Sequence, residues 1–166
     1  MKKVYLILVA ICLFLSCTEQ KDVDMDIYGI SFTCPAGWKI TKTLDLETAW
    51  LVVIQKKGFS SSGLVTMSFT ENDFELDELL AFYQEELAQQ RTFKNIAFQP
   101  VEAAYYGKYQ GISSSFTVSV LGLEHQGKIY VFEENGITMS IVHQEAVEDY
   151  KKNLSGFEII KNSLTL

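Results

Sequence analysis

KIYVFEENGITMSIVH, Lys128 to His143, is the stretch from which the fold can be read. Two runs of β-branched and aromatic residues flank Glu134-Asn135-Gly136. Asn-Gly is the pair that best tolerates the positive φ angles of a two-residue hairpin turn. The stretch therefore predicts two antiparallel strands, Lys128–Glu133 and Ile137–His143. Upstream, Ile112, Phe116, Val118 and Val120 alternate with Ser113, Ser115, Thr117 and Ser119, which predicts a strand with one polar face. Gln126-Gly127 reads as a second tight turn, with His125 exposed beside it. Ile96 to Tyr106 is broken by Pro100, the mark of an edge strand or a bulge.

Further out, Ile30 to Cys34 alternates and Pro35-Ala36-Gly37 turns the chain. Trp38 and Ile40 begin another strand. Ala49 to Gln55 is almost continuously apolar, as a strand covered on both faces would be. Leu64 to Thr70 follows a Ser/Gly loop. Leu76, Leu79, Leu80, Tyr83 and Leu87 lie on one stripe of a helix capped by Asn72 or Asp73, with carboxylates in its first turns. Val147, Tyr150, Leu154, Phe157 and Ile160 recur at helical spacing, with Gly156 placed to split that helix. Strands, a helix, a meander and a final helix describe an α+β fold, an antiparallel sheet with helices packed on it.

The chain opens differently. Lys2 and Lys3 precede an apolar run, Val4 to Leu15, and Ser16 stands before Cys17. This order predicts a signal peptide over residues 1–16. At about a dozen residues the run is short of the roughly 20 that span a membrane. Phe14-Leu15-Ser16-Cys17 resembles a lipoprotein box, so Cys17 is expected to carry lipid and to anchor the chain to a membrane. Residues 17–27 are expected to be the lipidated Cys and a polar tether. Gln20-Lys21-Asp22 and Asp24 resemble the Lys-plus-acidic signal that sends lipoproteins of Bacteroidetes-type bacteria to the outer membrane. The expected location is thus the cell envelope, lipid-anchored, at the outer membrane. Residues 28–166 form one domain, long enough to bury roughly two-thirds of its unfolded surface.

Losing Lys2 and Lys3 takes the 14 basic residues to 12 against 21 acidic, a net charge of −9. That sign disfavours nucleic acid as a partner. Cys12 leaves with the leader and Cys17 is consumed by lipid. Cys34 is then alone and is expected to be a small buried hydrophobe.

Tyr28-Gly29-Ile30-Ser31-Phe32, leading through Pro35 to Gly37-Trp38-Lys39-Ile40, and Phe157-Glu158-Ile159-Ile160 through Ser163-Leu164, resemble the PsbP-like superfamily, which includes PsbP and DcrB-like lipoproteins. The resemblance runs over residues 28–166. It implies an α-β-α sandwich and a non-enzymatic role in binding or assembling partners. It brings no catalytic motif.

The residues supply little for catalysis. Ser60, Ser61 and Ser62 lie in a loop without a G-x-S-x-G elbow, and there is no P-loop or G-x-G-x-x-G. His143 with Glu145 could form a base and its orienting group, which would make a hydrolase. A satisfied, partly buried histidine is the plainer reading. Glu124-His125 and the alternating Asp22, Asp24 and Asp26 lack the companions that zinc or calcium needs. No cofactor or metal is expected. Tyr105, Tyr106 and Tyr109 are candidates for binding an unidentified protein partner, since tyrosine offers contact area with a hydrogen bond. The same residues also suit a plain sheet. A toxin-neutralising, immunity-type lipoprotein is a special case of binding.

Overall fold

A computed structural model describes residues 21–58, 61–71 and 74–166. The leader, Cys17, Ser60 and the expected caps Asn72 and Asp73 lie outside the described residues. The elements are β1 (Val23–Ile27), β2 (Ile30–Cys34), β3 (Trp38–Asp45), β4 (Ala49–Lys56), β5 (Leu64–Thr70), α1 (Leu76–Ala88), β6 (Phe93–Phe98), β7 (Glu102–Tyr106), β8 (Tyr109–Val120), β9 (Leu123–Glu134), β10 (Ile137–Ala146), a single 3-10 turn (Val147–Asp149) and α2 (Tyr150–Ser163).

β3 to β10 form one antiparallel sheet in the order β3-β4-β5-β10-β9-β8, with β6 and β7 sharing the outer edge of β8. Pro100 lies in the break between those two half-strands, on the edge as expected. Asn135 and Gly136 adopt φ of 54° and 77°, and Ile137 pairs with Glu134 across the predicted hairpin turn. β10 is central, so both its faces are covered: Met139 and Ile141 point toward α2, while Thr138, Ser140 and Val142 point toward α1.

Three layers result. α1 covers one face of β6, β8 and β9 through Leu80 and Leu87, with Leu76, Leu79 and Tyr83 beside them. Deleting such a buried leucine side chain typically costs about 2–5 kcal/mol. The opposite face carries the larger core, built from Trp38, Ile54, Met67, Phe132, Phe157 and Ile160 among others. α2 and the β1-β2 hairpin close that face together. Ser31 and Thr165 exchange backbone hydrogen bonds of 2.9 and 2.8 Å, joining β2 to the C-terminal end.

Several local expectations are corrected. Val23–Ile27, within the stretch expected to be a tether, pairs with β2, and Met25 and Ile27 reach the core. Asp24 and Asp26 accept hydrogen bonds from Thr33 and Ser31, and Asp22 accepts from the Ala36 amide, so these carboxylates serve the hairpin. The turn before β9 is Leu121-Gly122, at φ of 51° and 84°, and not Gln126-Gly127. Gly127 lies inside β9 because the Phe116 ring occupies its side-chain space: a Cβ there would sit 2.3 Å from Cζ. His125 is half-buried rather than exposed. The polar face of β8 is partly covered, since Ser113 is buried, and Ser114, also buried, lies on the opposite face with Phe116. Glu75 stands at the N-cap of α1 without a side-chain cap bond.

α2 is continuous through Gly156, whose bare Cα is a seat for Trp38. Its buried face is Asn153, Gly156, Phe157 and Ile160, so Tyr150 and Leu154 remain exposed, as does Val147 in the preceding 3-10 turn.

Candidate functional site

The tyrosines expected to bind a partner are separated by the β7-β8 hairpin. Side chains alternate across a strand, so Tyr105 points outward at 60% exposure while Tyr106 turns inward at 1%. Tyr109 is also buried, stacked on Phe132 at 5.0 Å, and its hydroxyl accepts the Leu166 amide at 2.8 Å. Tyr106 and Tyr109 are thus core residues, which corrects the partner-binding expectation for both. Their hydroxyls are used internally.

His143 and Glu145 share the α2-facing side of β10 but have different partners. His143 Nε2 lies 2.9 Å from the Tyr106 hydroxyl, and the ring stacks on Phe157 at 4.5 Å. Burial, helped by the Lys161 charge, pushes its pKa down to about 3. Glu145 instead accepts from Gln126 Nε2 at 3.2 Å. The expected base-and-orienter pair is therefore not assembled. Ser61 and Ser62 fasten the start of α2: Ser61 donates to Asn153, and Ser62 donates to Asp149 Oδ2 at 3.0 Å while accepting the Ala146 amide at 2.6 Å. Lys152, with help from Ser62, holds the Asp149 carboxyl below its ordinary range. Among the described residues no three His, Cys, Asp or Glu side chains gather as a metal site would require. No helix among them is long and apolar enough to cross a membrane.

Two recesses remain. The first is a groove of about 380 Å³ where α1 stops short of covering β5 and β4. Its floor is a cross-strand ladder, Ser68 opposite Ser140 and Thr70 opposite Thr138. Ser68 Oγ and Ser140 Oγ are 2.8 Å apart, and the Tyr83 hydroxyl also bonds Ser68. Its wall is apolar: Leu79 from α1, with Phe74 and Phe82, at 42% and 53% exposed, standing on the rim. Apolar walls with a few placed polar groups are the usual make-up of a binding recess. This one suits an apolar segment, since its floor hydroxyls bond within the protein: Ser68 to Ser140 and Tyr83, and Thr70 to the Thr48 carbonyl. Serine and threonine at alternate positions of otherwise apolar strands were the available signal. It has meaning only once register brings Ser68 and Ser140 together.

The second recess, about 420 Å³, lies on the opposite face of the sheet between α2 and the ends of β9 and β10. Tyr130, Tyr150 and Phe157 line it with Gln126, Glu145 and Glu158. Burial pushes the Tyr130 phenol up to about 12, so it keeps its proton at neutral pH.

No family model and no curated protein matches the chain. Solved structures do. Cyanobacterial PsbP (CyanoP) from Synechocystis sp. PCC 6803 aligns at a TM-score of 0.61 and 13% identity, covering 91% of this chain and 97% of that one. LpqN of Mycobacterium tuberculosis, described as involved in cell envelope biogenesis, aligns at 0.54 and 14%, covering 89% and 91%. A Bacteroides thetaiotaomicron protein aligns at 0.54 and 13%, covering 89% of this chain and 48% of that one. At such identities the likeness concerns architecture, and what it shows is that this chain has the PsbP-like α+β fold, an antiparallel sheet with helices on both faces.

Proposed function

We propose that this protein is a non-enzymatic binding module of the cell envelope, held by lipid on Cys17 at the outer membrane, which receives an apolar segment of a protein partner in the groove beside α1. One observation carries the reading: exposed Phe74 and Phe82 stand over a floor of Ser68, Ser140, Thr70 and Thr138, an apolar rim that the described residues leave uncovered. LpqN, which shares the fold, is an envelope-biogenesis protein, and this supports the location. His143 lends no support to a hydrolase, because it is desolvated and hydrogen-bonded inside the core.

Exchanging Phe74 and Phe82 together for serine should leave the fold intact, since both side chains face solvent. It should abolish co-purification of the partner recovered with the wild type from intact envelopes. Undiminished recovery by the folded double variant would remove the groove from the account. For the anchor, a fatty-acid probe should label the wild type and leave Cys17→Ala unlabelled.

A further inference from the structure

Glu145 is 4% exposed, and only one of its carboxylate oxygens has a partner. Oε1 accepts from Gln126, while Oε2 is buried without a hydrogen bond and belongs to the wall of the recess beneath α2. A carboxylate offers about four acceptor positions and donates nothing when ionised. Burying it without donors is costly, so an unpaired oxygen of a residue in the wall of a recess asks for a cationic donor. Two lysines lie nearby among the described residues, Lys128 in the wall of this same recess, and each is placed against another carboxylate. Lys128, paired with His143 across β9 and β10, forms its ion pair with Glu102 at 2.9 Å and lies over the Tyr130 ring. Lys161 is 3.9 Å from Glu158.

We propose that this recess binds an alkylammonium or alkylguanidinium group, its cation meeting Glu145 Oε2 and its aliphatic stem lying along Tyr130, Tyr150 and Phe157. The rings match both halves of such a ligand. Aromatic faces attract cations, and aliphatic stems pack along apolar walls. Tyr150 and Leu154, left exposed when α2 buries its other face, form the mouth. The formal charge of −7 favours approach of a cation over an anion. The same chemistry is available from a free amine or from a Lys or Arg side chain of a protein. The site is on the opposite face from the α1 groove, so the two readings stand or fall separately.

The test is a titration of the full chain in nonionic detergent, followed through the backbone amide shifts of Gln126, Glu145 and Tyr150. Butylammonium and butylguanidinium should bind saturably, while butanol and butyrate should not. Glu145→Gln should weaken cation binding about tenfold or more, the worth of a charge-assisted hydrogen bond. Leu154→Lys, made at an exposed position, places a competing ammonium at the mouth and should suppress butylammonium binding even if Glu145→Gln does not fold. Blocked Gly-Lys-Gly and Gly-Arg-Gly peptides separate the sources: tighter binding than butylammonium assigns the site to a protein side chain, weaker binding to a free amine. Equal shifts with butanol, unaltered cation affinity in folded Glu145→Gln, or unaltered butylammonium binding in Leu154→Lys would each overturn the proposal.

Discussion

The hydroxyl of Tyr106 and Nε2 of His143 share a hydrogen bond of 2.9 Å in the core, tying the β7-β8 hairpin to the central strand β10. Tyr130 and Phe157 enclose the same imidazole at centroid distances of 5.6 and 4.5 Å. Burial pushes His143 down to about 3 and raises the Tyr106 phenol. Both groups are therefore neutral at physiological pH, and the pair serves cohesion.

This pair makes stability depend on acid. An unfolded histidine titrates near 6.5. Between about 6.5 and about 3 the unfolded chain binds a proton that the native His143 refuses. Stability is therefore complete above that window and falls as pH drops through it, by up to about 1.4 kcal/mol per pH unit. Urea unfolding of wild type and His143→Phe at pH 7 and pH 5 should show a smaller loss in the variant. Equal losses would mean that His143 does not carry the effect.

Tyr106→Phe removes only the hydroxyl and leaves buried Nε2 without its partner. The expected cost is about 1–3 kcal/mol in denaturant midpoint analysis. Tyr105→Ala, at an exposed site, should stay within about 0.5 kcal/mol. Similar values for the two would contradict the alternation that separates them.

Gly156→Ala makes a prediction whose sign is informative. In an exposed helix the change would stabilise by about 1 kcal/mol. Here the new Cβ would sit 2.5 Å from Trp38 Nε1. The indole has little room to retreat, because a Cβ on Gly63 would be 2.6 Å from its Cη2. Overpacking of this kind costs about 1–3 kcal/mol. A lower melting temperature with altered tryptophan emission is expected, and a stabilised variant would show that the ring can move away.

Cys34 lies with Ile30 and Phe32 on the buried side of β2. Burial raises its thiol pKa, opposed by Lys57 and assisted by Asp22. The thiolate is the reactive species, so a thiol reagent should react slowly with the native protein and fast in denaturant. Fast labelling of the folded chain would place Cys34 on the wrong face.

How far the fold could be read in advance depended on local chemistry. Asn135-Gly136 has one strongly favoured geometry and the stripe of α1 has the helical period, so these elements are legible. The apolar run marks β4 as a strand, but Leu51 and Val53 are only half-buried because α1 stops short of them, which corrects the expectation of two covered faces. Gly127 and Gly156 were misread for a common reason. A glycine looks the same in sequence whether it supplies a turn or makes room for a ring, and only Phe116 and Trp38, distant in sequence, decide. Tyr150 and Leu154 keep helical spacing yet face outward, because Asn153 and Gly156 form the buried side. Of the recesses, nothing local could reveal the meeting of Ser68 with Ser140 or the unpaired oxygen of Glu145. Both depend on strand register.

The groove beside α1 is tested most directly in living cells, with a photo-crosslinking phenylalanine analogue placed at Phe82. Leu121, more exposed but on the β8-β9 turn, is the control site. The binding-module account predicts one discrete protein adduct from position 82 and none from position 121. No adduct from position 82, or the same adducts from both positions, would contradict it.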